Sequence, residues 1–403
     1  PYSFQELFKI KQSSLVLNGI RPQYTGQPAV IPLGLTWEKS TTLNLGLDFA
    51  FLSNRLQFSG DIYQRKTTDM FTVGMSLPAV FGTDVPKGNY ADLTTKGFEL
   101  SVSWRDQFQL ASKPFNYEVR FTLADYQSTI DKYNNPEKKL GDDYYYEGMK
   151  VGEIWGYETE GFFTSQADID SHAKQPYFYA GATAGQWLPG DIKFKDLNGD
   201  GVIDYGNNTV DNPGDQKIIG NSEPRFIYGI NLSGDWNNFF VSAFFQGVGK
   251  QDWWPGSEAS YFWGMYNRPY NDMPKSHLGN IWTEENPNTY FPRLRGYSSE
   301  EPYAELNLKQ TRYLQNIAYI RMKNIQLGYT LPKSFISKLR MQNAKVYVSG
   351  ENLWSWSPFY KYSKDLDVEA VRGSDRDLTE GTSGNGYSYP ILKSVSFGLS
   401  VTF

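Results

Sequence analysis

The chain has 403 residues, 16 % of them aromatic, with 37 glycines, 21 prolines, two histidines, no cysteine and a formal charge of −5. The missing cysteines exclude a disulfide framework and thiolate metal ligation, the two histidines (His172 and His277) exclude a His-rich metal centre, and the mild charge argues against a nucleic-acid partner. No apolar run approaches the roughly 18 residues of a membrane-spanning helix, so a spanning chain of this composition has to be a β-barrel.

The strands announce themselves by strict alternation, the period-two signature of a ribbon with two different faces. The first set is Leu43, Leu45, Leu47, Phe49 and Phe51, interleaved with Asn44, Gly46, Asp48 and Ala50. Leu56–Lys66 follows, and then Phe98, Leu100, Val102 and Trp104 against Glu99, Ser101, Ser103 and Arg105. Phe115, Tyr117, Val119, Phe121 and Leu123 alternate with Asn116, Glu118, Arg120, Thr122 and Ala124. Further strands are predicted at Phe226–Ser233, Phe239–Val248, Ile320–Leu331 and Ala344–Asn352. The last one places Val395, Phe397, Leu399, Val401 and Phe403 on a lipid face, and Ser394, Ser396, Gly398, Ser400 and Thr402 on a lumen face. That makes about nine strands, with room for a tenth in residues 1–34, most of them near the length that crosses a bilayer at a tilt.

Alternation alone also suits a soluble sandwich. The connections separate the two. Short links (Ser53–Arg55, Asp106–Pro114, Asn237–Asn238 and Pro332–Asn343) alternate with long ones at roughly 68–94, 127–224, 249–317 and 354–390. Short turns on one side and long loops on the other belong to outer-membrane barrels. Following the alternation, Phe403 ends at the periplasmic rim. The fold class is therefore all-β, an antiparallel transmembrane barrel with long extracellular loops.

Several segments, in order, resemble the SusC/RagA-like TonB-dependent outer-membrane transporters. They are Gly34–Met70 (GLTWEKSTTLNLGLDFAFLSNRLQFSGDIYQRKTTDM), Asn89–Trp104 (NYADLTTKGFELSVSW), Val151–Phe163 (VGEIWGYETEGFF), Pro189–Asp204 (PGDIKFKDLNGDGVID) and Ile219–Asp235 (IGNSEPRFIYGINLSGD). Tyr319–Pro332 (YIRMKNIQLGYTLP), Val346–Leu353 (VYVSGENL) and Tyr389–Phe403 complete the series. One departure is Asp365–Glu369, which reads DLDVE where the family has a DPE triplet. The resemblance implies a 22-stranded barrel with an N-terminal plug, energised import through TonB, and a SusD-like surface lipoprotein as a lid. Under it, residues 1–403 are the C-terminal part of the barrel. Plug and N-terminal strands are absent, in keeping with the start at Pro1 without an initiator Met. The implied function is active import of oligosaccharides or peptides across the bacterial outer membrane. An outer-membrane barrel enzyme and a secreted Ca²⁺-stabilised adhesin or scaffold are the alternatives.

The sharpest local motif is Asp196-Leu-Asn198-Gly-Asp200-Gly201-Val202-Ile-Asp204. Oxygen side chains at the first, third, fifth and ninth positions, with Gly at the sixth, match a Ca²⁺ loop, and the Val202 carbonyl takes the seventh. Asn207 stands at the twelfth, where a bidentate acid belongs. Tyr205–Gly214 reads as an insertion after which Asp215 returns as the missing ligand. The expected cofactor is a structural Ca²⁺, with Mg²⁺ second because of its strict octahedral shell. The alternative is an Asx-rich turn without metal. A second cluster, Trp253, Trp254, Tyr261, Trp263 and Tyr266 (with Phe262 and Tyr270), offers ring faces for sugars or peptide side chains, or packs its loop against itself or the lid. No catalytic constellation emerges. Gly247–Lys250 lacks the spacing of a phosphate loop, and neither His has a triad partner in the sequence.

Overall fold

The computed structural model of the chain describes residues 8–26, 28, 30–74, 80, 85–141, 144–176, 187–257, 259–295, 299–300, 304–371 and 389–403. Nine strands form one antiparallel sheet: β1 Lys39–Phe51, β2 Leu56–Val73, β3 Lys87–Leu110, β4 Lys113–Lys132, β5 Arg225–Trp236, β6 Phe239–Lys250, β7 Tyr319–Thr330, β8 Asn343–Trp356 and β9 Ser394–Thr402. Their order in space is their order in the chain, so every neighbour is a hairpin partner. All nine expected strands are present. The tenth is not in the sheet among the described residues, because Ile10–Gln12 and Gln23–Thr25 pair only with each other.

Register carries the two-faced pattern across the whole wall. One row runs Phe49, Phe58, Val102, Phe121, Ile230, Phe245, Met322 and Trp354 from β1 to β8. An adjacent row on the opposite face runs Asp48, Ser59, Ser101, Thr122, Gly229, Gln246, Arg321 and Ser355. The apolar face is uncovered: Leu43 is 77 % exposed and Phe397 87 %. So large an apolar surface in water would drive association, and hydrocarbon is the solvent that suits it. Near the short-turn end this face gathers a row of Phe108, Phe115, Trp236, Phe239, Tyr329, Val346 and Leu399, with ring centroids 5.0 Å apart for Phe108–Phe115 and 4.7 Å for Phe239–Tyr329. Such a belt marks a lipid–water boundary, where an amphipathic ring can satisfy both sides.

One short turn is tighter than the sequence predicts. Cross-strand pairs continue to Phe108↔Phe115 and Leu110↔Lys113, so the link expected over Asp106–Pro114 shrinks to Ala111 and Ser112, both at positive φ (49° and 61°). Asn237 and Asn238 make the equivalent two-residue turn at 49° and 72°. Both centres of a hairpin turn of this hand need positive φ, which asparagine tolerates and alanine resists. The first long loop is also shorter than expected, since β2 runs to Val73 and β3 begins at Lys87, and residues 75–79 and 81–84 lie outside the described set. With 18, 24 and 20 residues, β2, β3 and β4 exceed the roughly 9–11 needed to cross hydrocarbon. Their upper parts stand clear of it.

The hydrophobic core lies in the long loops, which fold into a roof over the long-loop end of the sheet. Its buried side chains include Tyr157, Phe194, Phe262, Trp263, Phe291, Leu306, Tyr313 and Phe359. Val248 and Tyr319, with Ile227 packed against them, join this core from the polar face. The roof therefore seats on the polar side and leaves the other face to lipid.

Candidate functional site

Three loop segments meet around an aromatic-lined cavity in the roof. The first is the stretch after β4, held by Asn135, whose Oδ1 accepts from Lys139 N (3.0 Å) and whose Nδ2 donates to Tyr145 O (2.9 Å). It delivers Leu140, Tyr144 and Tyr146 to the cavity. The second is the two-stranded ribbon Glu153–Tyr157 with Gln216–Asn221, which brings Glu153, Trp155, Tyr157 and Gln216. Asn208 ties this part to the first, accepting Leu140 N at its carbonyl (2.8 Å) and donating Nδ2 to Leu140 O (2.9 Å). The third is Asn307–Lys309, where Tyr157 N donates to Lys309 O at 2.8 Å. Gly156 is required here, because a Cβ would run into the Lys309 backbone.

Inside, the Tyr146 hydroxyl donates to Glu153 Oε2 (2.5 Å) and accepts from Trp155 Nε1 (3.3 Å). Burial, then the Glu153 carboxylate, raises the Tyr146 hydroxyl well above its ordinary range, so it stays protonated and fixed as a donor. Glu153 Oε1 accepts from Lys150 N (3.1 Å). The wall is thus one of rings, hydroxyls and the amides of Asn208, Gln216 and Asn307, with Lys309 at its margin. Rings, hydroxyls and amides of this kind suit uncharged polar molecules with flat or ring-shaped apolar faces.

Beside the cavity the roof is braced by buried charge. Asp191 is fully buried and accepts from Arg293 Nε (2.5 Å), Arg295 Nη2 (2.6 Å) and Leu188 N (2.8 Å). Glu305, 1 % exposed, accepts Ile192 N at Oε2 (2.9 Å). Its other oxygen has no hydrogen-bond partner among the described residues. Burial, reinforced by the Asp191 carboxylate, pushes the Glu305 carboxyl up to about 8, against the pull of Arg295 and Arg293. His277 is likewise buried, its Nε2 2.9 Å from Phe262 O and its ring 4.1 Å from that of Phe291, and burial pushes it down to about 4.

A second brace joins roof to wall. Arg321, on the polar face of β7, places Nη2 2.5 Å from Asp367 Oδ1 and Nε 2.7 Å from Glu369 Oε1. The second contact is an ion pair by distance but is too poorly aligned for a hydrogen bond. Lys323 Nζ reaches Glu369 Oε2 at 2.5 Å. The departure DLDVE is the segment held here, and Leu366, Val368 and Val371 around those acids enter the roof core. Alternation of acid and apolar residue therefore lets one short segment serve both.

The structure gathers four of the five expected rings into or against the roof core. Trp253, Trp263 and Tyr266 are buried in the roof core and Trp254 packs against it, so these rings hold the loops together instead of presenting a face. Tyr261 alone of the five is exposed, at 55 %. The cavity rings Tyr144, Tyr146, Trp155 and Tyr205 carry no spacing signal in the sequence, because the fold of the loops, not a periodic element, brings them together. The acidic loop does form one turn, and Asp215, expected as a metal ligand, lies behind it and accepts Leu197 N (2.7 Å) and Asp204 N (2.9 Å). Its carboxylates are turned on its own backbone: Asp196 accepts Gly199 N (2.6 Å) and Gly201 N (2.9 Å), Asp200 accepts Val202 N (2.9 Å), and Asp204 accepts Gly206 N (2.7 Å). Asn198 Nδ2 donates to Asp200 Oδ2 at 2.9 Å. Among the described residues no group of three or more His, Asp or Glu side chains is gathered as a metal shell requires.

No protein-family model matches the chain. It is 28 % identical to the TonB-dependent receptor P3 of Formosa agariphila over 387 residues, covering 92 % of this chain and 34 % of that protein. It is 23 % identical to the TonB-dependent receptor SusC of Bacteroides thetaiotaomicron, covering 94 % and 33 % respectively. Among solved structures, that of the RagAB peptide transporter superposes with a TM-score of 0.69 at 20 % identity, covering 99 % of this chain and 38 % of that one. The same importer in its closed-closed state gives 0.68 at 18 % identity, with 99 % and 38 % covered. The chain thus spans about a third of the length of the curated relatives it matches. It resembles the SusC/RagA-like TonB-dependent receptors, shares the antiparallel barrel fold of such a transporter as a partial wall, and is an outer-membrane protein. The relatives' names are those of receptors and transporters.

Proposed function

We propose that this chain forms part of the wall and the extracellular roof of a TonB-dependent importer of oligosaccharides or peptides, working with a SusD-like surface lipoprotein. The plug and the TonB contact belong, in this reading, to the part of the protein that this chain does not span. The observation that carries it is the ring- and amide-lined cavity in a roof seated on the polar side of the wall. Cells carrying the complete transporter should take up either fluorescent neutral oligosaccharides or fluorescent peptides only when TonB is present. Replacing Trp155 and Tyr205 by alanine should lower that uptake about tenfold, the value of one well-placed stacking contact. TonB-independent uptake, or uptake indifferent to both replacements at equal surface level, would sink the reading.

The same reading gives the loop of Asp196, Asn198, Asp200, Val202, Asp204 and Asp215 a structural Ca²⁺, supported by ligand spacing and by the mutual repulsion of acids held on one turn. Tb³⁺ luminescence sensitised by the neighbouring rings, displaced by Ca²⁺ more readily than by Mg²⁺, is the expected signal. Unchanged luminescence after D200N and D204N would remove the metal from the account.

A further inference from the structure

Strand β8 outlasts β9. The two pair from Asn343↔Thr402 up to Glu351↔Ser394, whereas on its other side β8 continues against β7 to Trp356↔Ile320. Its last residues therefore have a strand neighbour on one side only. Asn352 marks the change, at φ 53°, with Nδ2 donating to Leu392 O (3.1 Å) and a buried Oδ1 that has no partner among the described residues.

This corner of the wall has two unlike sides. On the polar side, Asp367 and Glu369 are consumed by Arg321 and Lys323. On the lipid side, Trp354 and Trp356 stand 47 % and 55 % exposed at the long-loop end of the apolar face, and Leu392 is 67 % exposed. A cleft at this corner is lined by Arg321, Ser355 and Asp367 from the polar side and by Trp356, Lys361, Lys364 and Lys393 at the rim. The three lysines are exposed, and none forms an ion pair with a described residue. Asp365 is the only unpaired carboxylate lining the cleft among the described residues, so the charge of those residues is positive on balance. Interfacial tryptophans fix the depth of this corner at the boundary of hydrocarbon and headgroups. Lys361, which also sits 5.4 Å from the Tyr362 ring centroid, and Lys364 and Lys393 have no ion-pair partner among the described residues at that depth, so an anionic headgroup relieves the repulsion among them.

We propose that this cleft binds the phosphorylated headgroup of an outer-leaflet lipid, with Lys361, Lys364 and Lys393 on the phosphate and the lipid's chains lying against Trp354, Trp356 and Leu392. The inference depends on the outer-membrane location and not on the transport reading. Its test uses the complete barrel, purified in detergent and delipidated, then exposed to lipid A or to its dephosphorylated form and examined by native mass spectrometry. The unaltered protein should retain lipid A at least tenfold better than the dephosphorylated form. The triple variant K361Q/K364Q/K393Q should lose that preference, and W354A/W356A should weaken both forms alike. A heat-modifiable electrophoretic shift identical to that of the parent shows that each variant still forms its barrel. Equal retention of the two lipids by the parent, or a preference that survives in the lysine variant, would overturn the proposal. So would a lysine variant that keeps its lipid and loses a co-purifying lipoprotein instead.

Discussion

At the scale of single residues, the roof depends on a carboxyl kept neutral. Glu305 has its ordinary carboxylate range raised to about 8 by burial and by Asp191, so the folded roof favours the protonated form. The unfolded chain, with the ordinary value of 4.5, does not. Stability from this group is therefore complete below the unfolded value and is lost as pH rises through about 8. Raising the pH from 7 to 9 should cost the roof about 1 kcal/mol. Hydrogen exchange of residues 304–319 should report it as faster exchange, abolished by E305Q, whose side-chain oxygen can still accept from Ile192 N. A pH response unchanged in that variant would place the titrating group elsewhere. The acids around Asp367 differ in kind. They are matched by the cations Arg321 and Lys323, whereas the Glu305 site draws on segments more than a hundred residues apart in the chain.

At the scale of elements, each strand is a ribbon with a dry and a wet side, and substitution should feel the side more than the residue type. Leu399 and Ser400 are neighbours on β9, the first in register with Val346 and Tyr329 on the apolar face, the second with Lys345 on the polar one. At the level of the ring belt, L399R should lower barrel stability by no more than about 1 kcal/mol, and F397R, two residues farther along the same face into hydrocarbon, by more, whereas S400R should change it little. Urea titration of the complete barrel in lipid vesicles, followed by the electrophoretic shift, compares the three. Equal tolerance of F397R and S400R would contradict the assignment of faces. The alternation that predicts this was plain in the sequence. The turn at Ala111 and Ser112 was not, because neither residue advertises positive φ and only the pairing of Phe108 with Phe115 forces it.

On the scale of the whole molecule, the usual arrangement of a water-soluble protein is reversed. The wall exposes its apolar side and needs no core, since the bilayer supplies the apolar medium. The loops, which face water, contain the packed interior. The roof gives the wall a fixed extracellular rim through Arg321 and Lys323 below and through Val248 and Tyr319 beside it. A rim of fixed shape is what a cavity of several distant rings requires.

By itself the sequence determined the strands, their order, their two faces and the family they resemble. Those features are local: a period of two and a hairpin between neighbours involve residues that are already adjacent in the chain. It also marked the turn from Asp196 to Asp204, again because the spacing is short. What only the tertiary structure decided is which rings are core and which line a cavity. Trp263 and Tyr266 read as promisingly as Trp155 and Tyr205 when only composition is visible. Burial is set by which distant loop segment packs over a ring, and neither periodicity nor spacing carries that information.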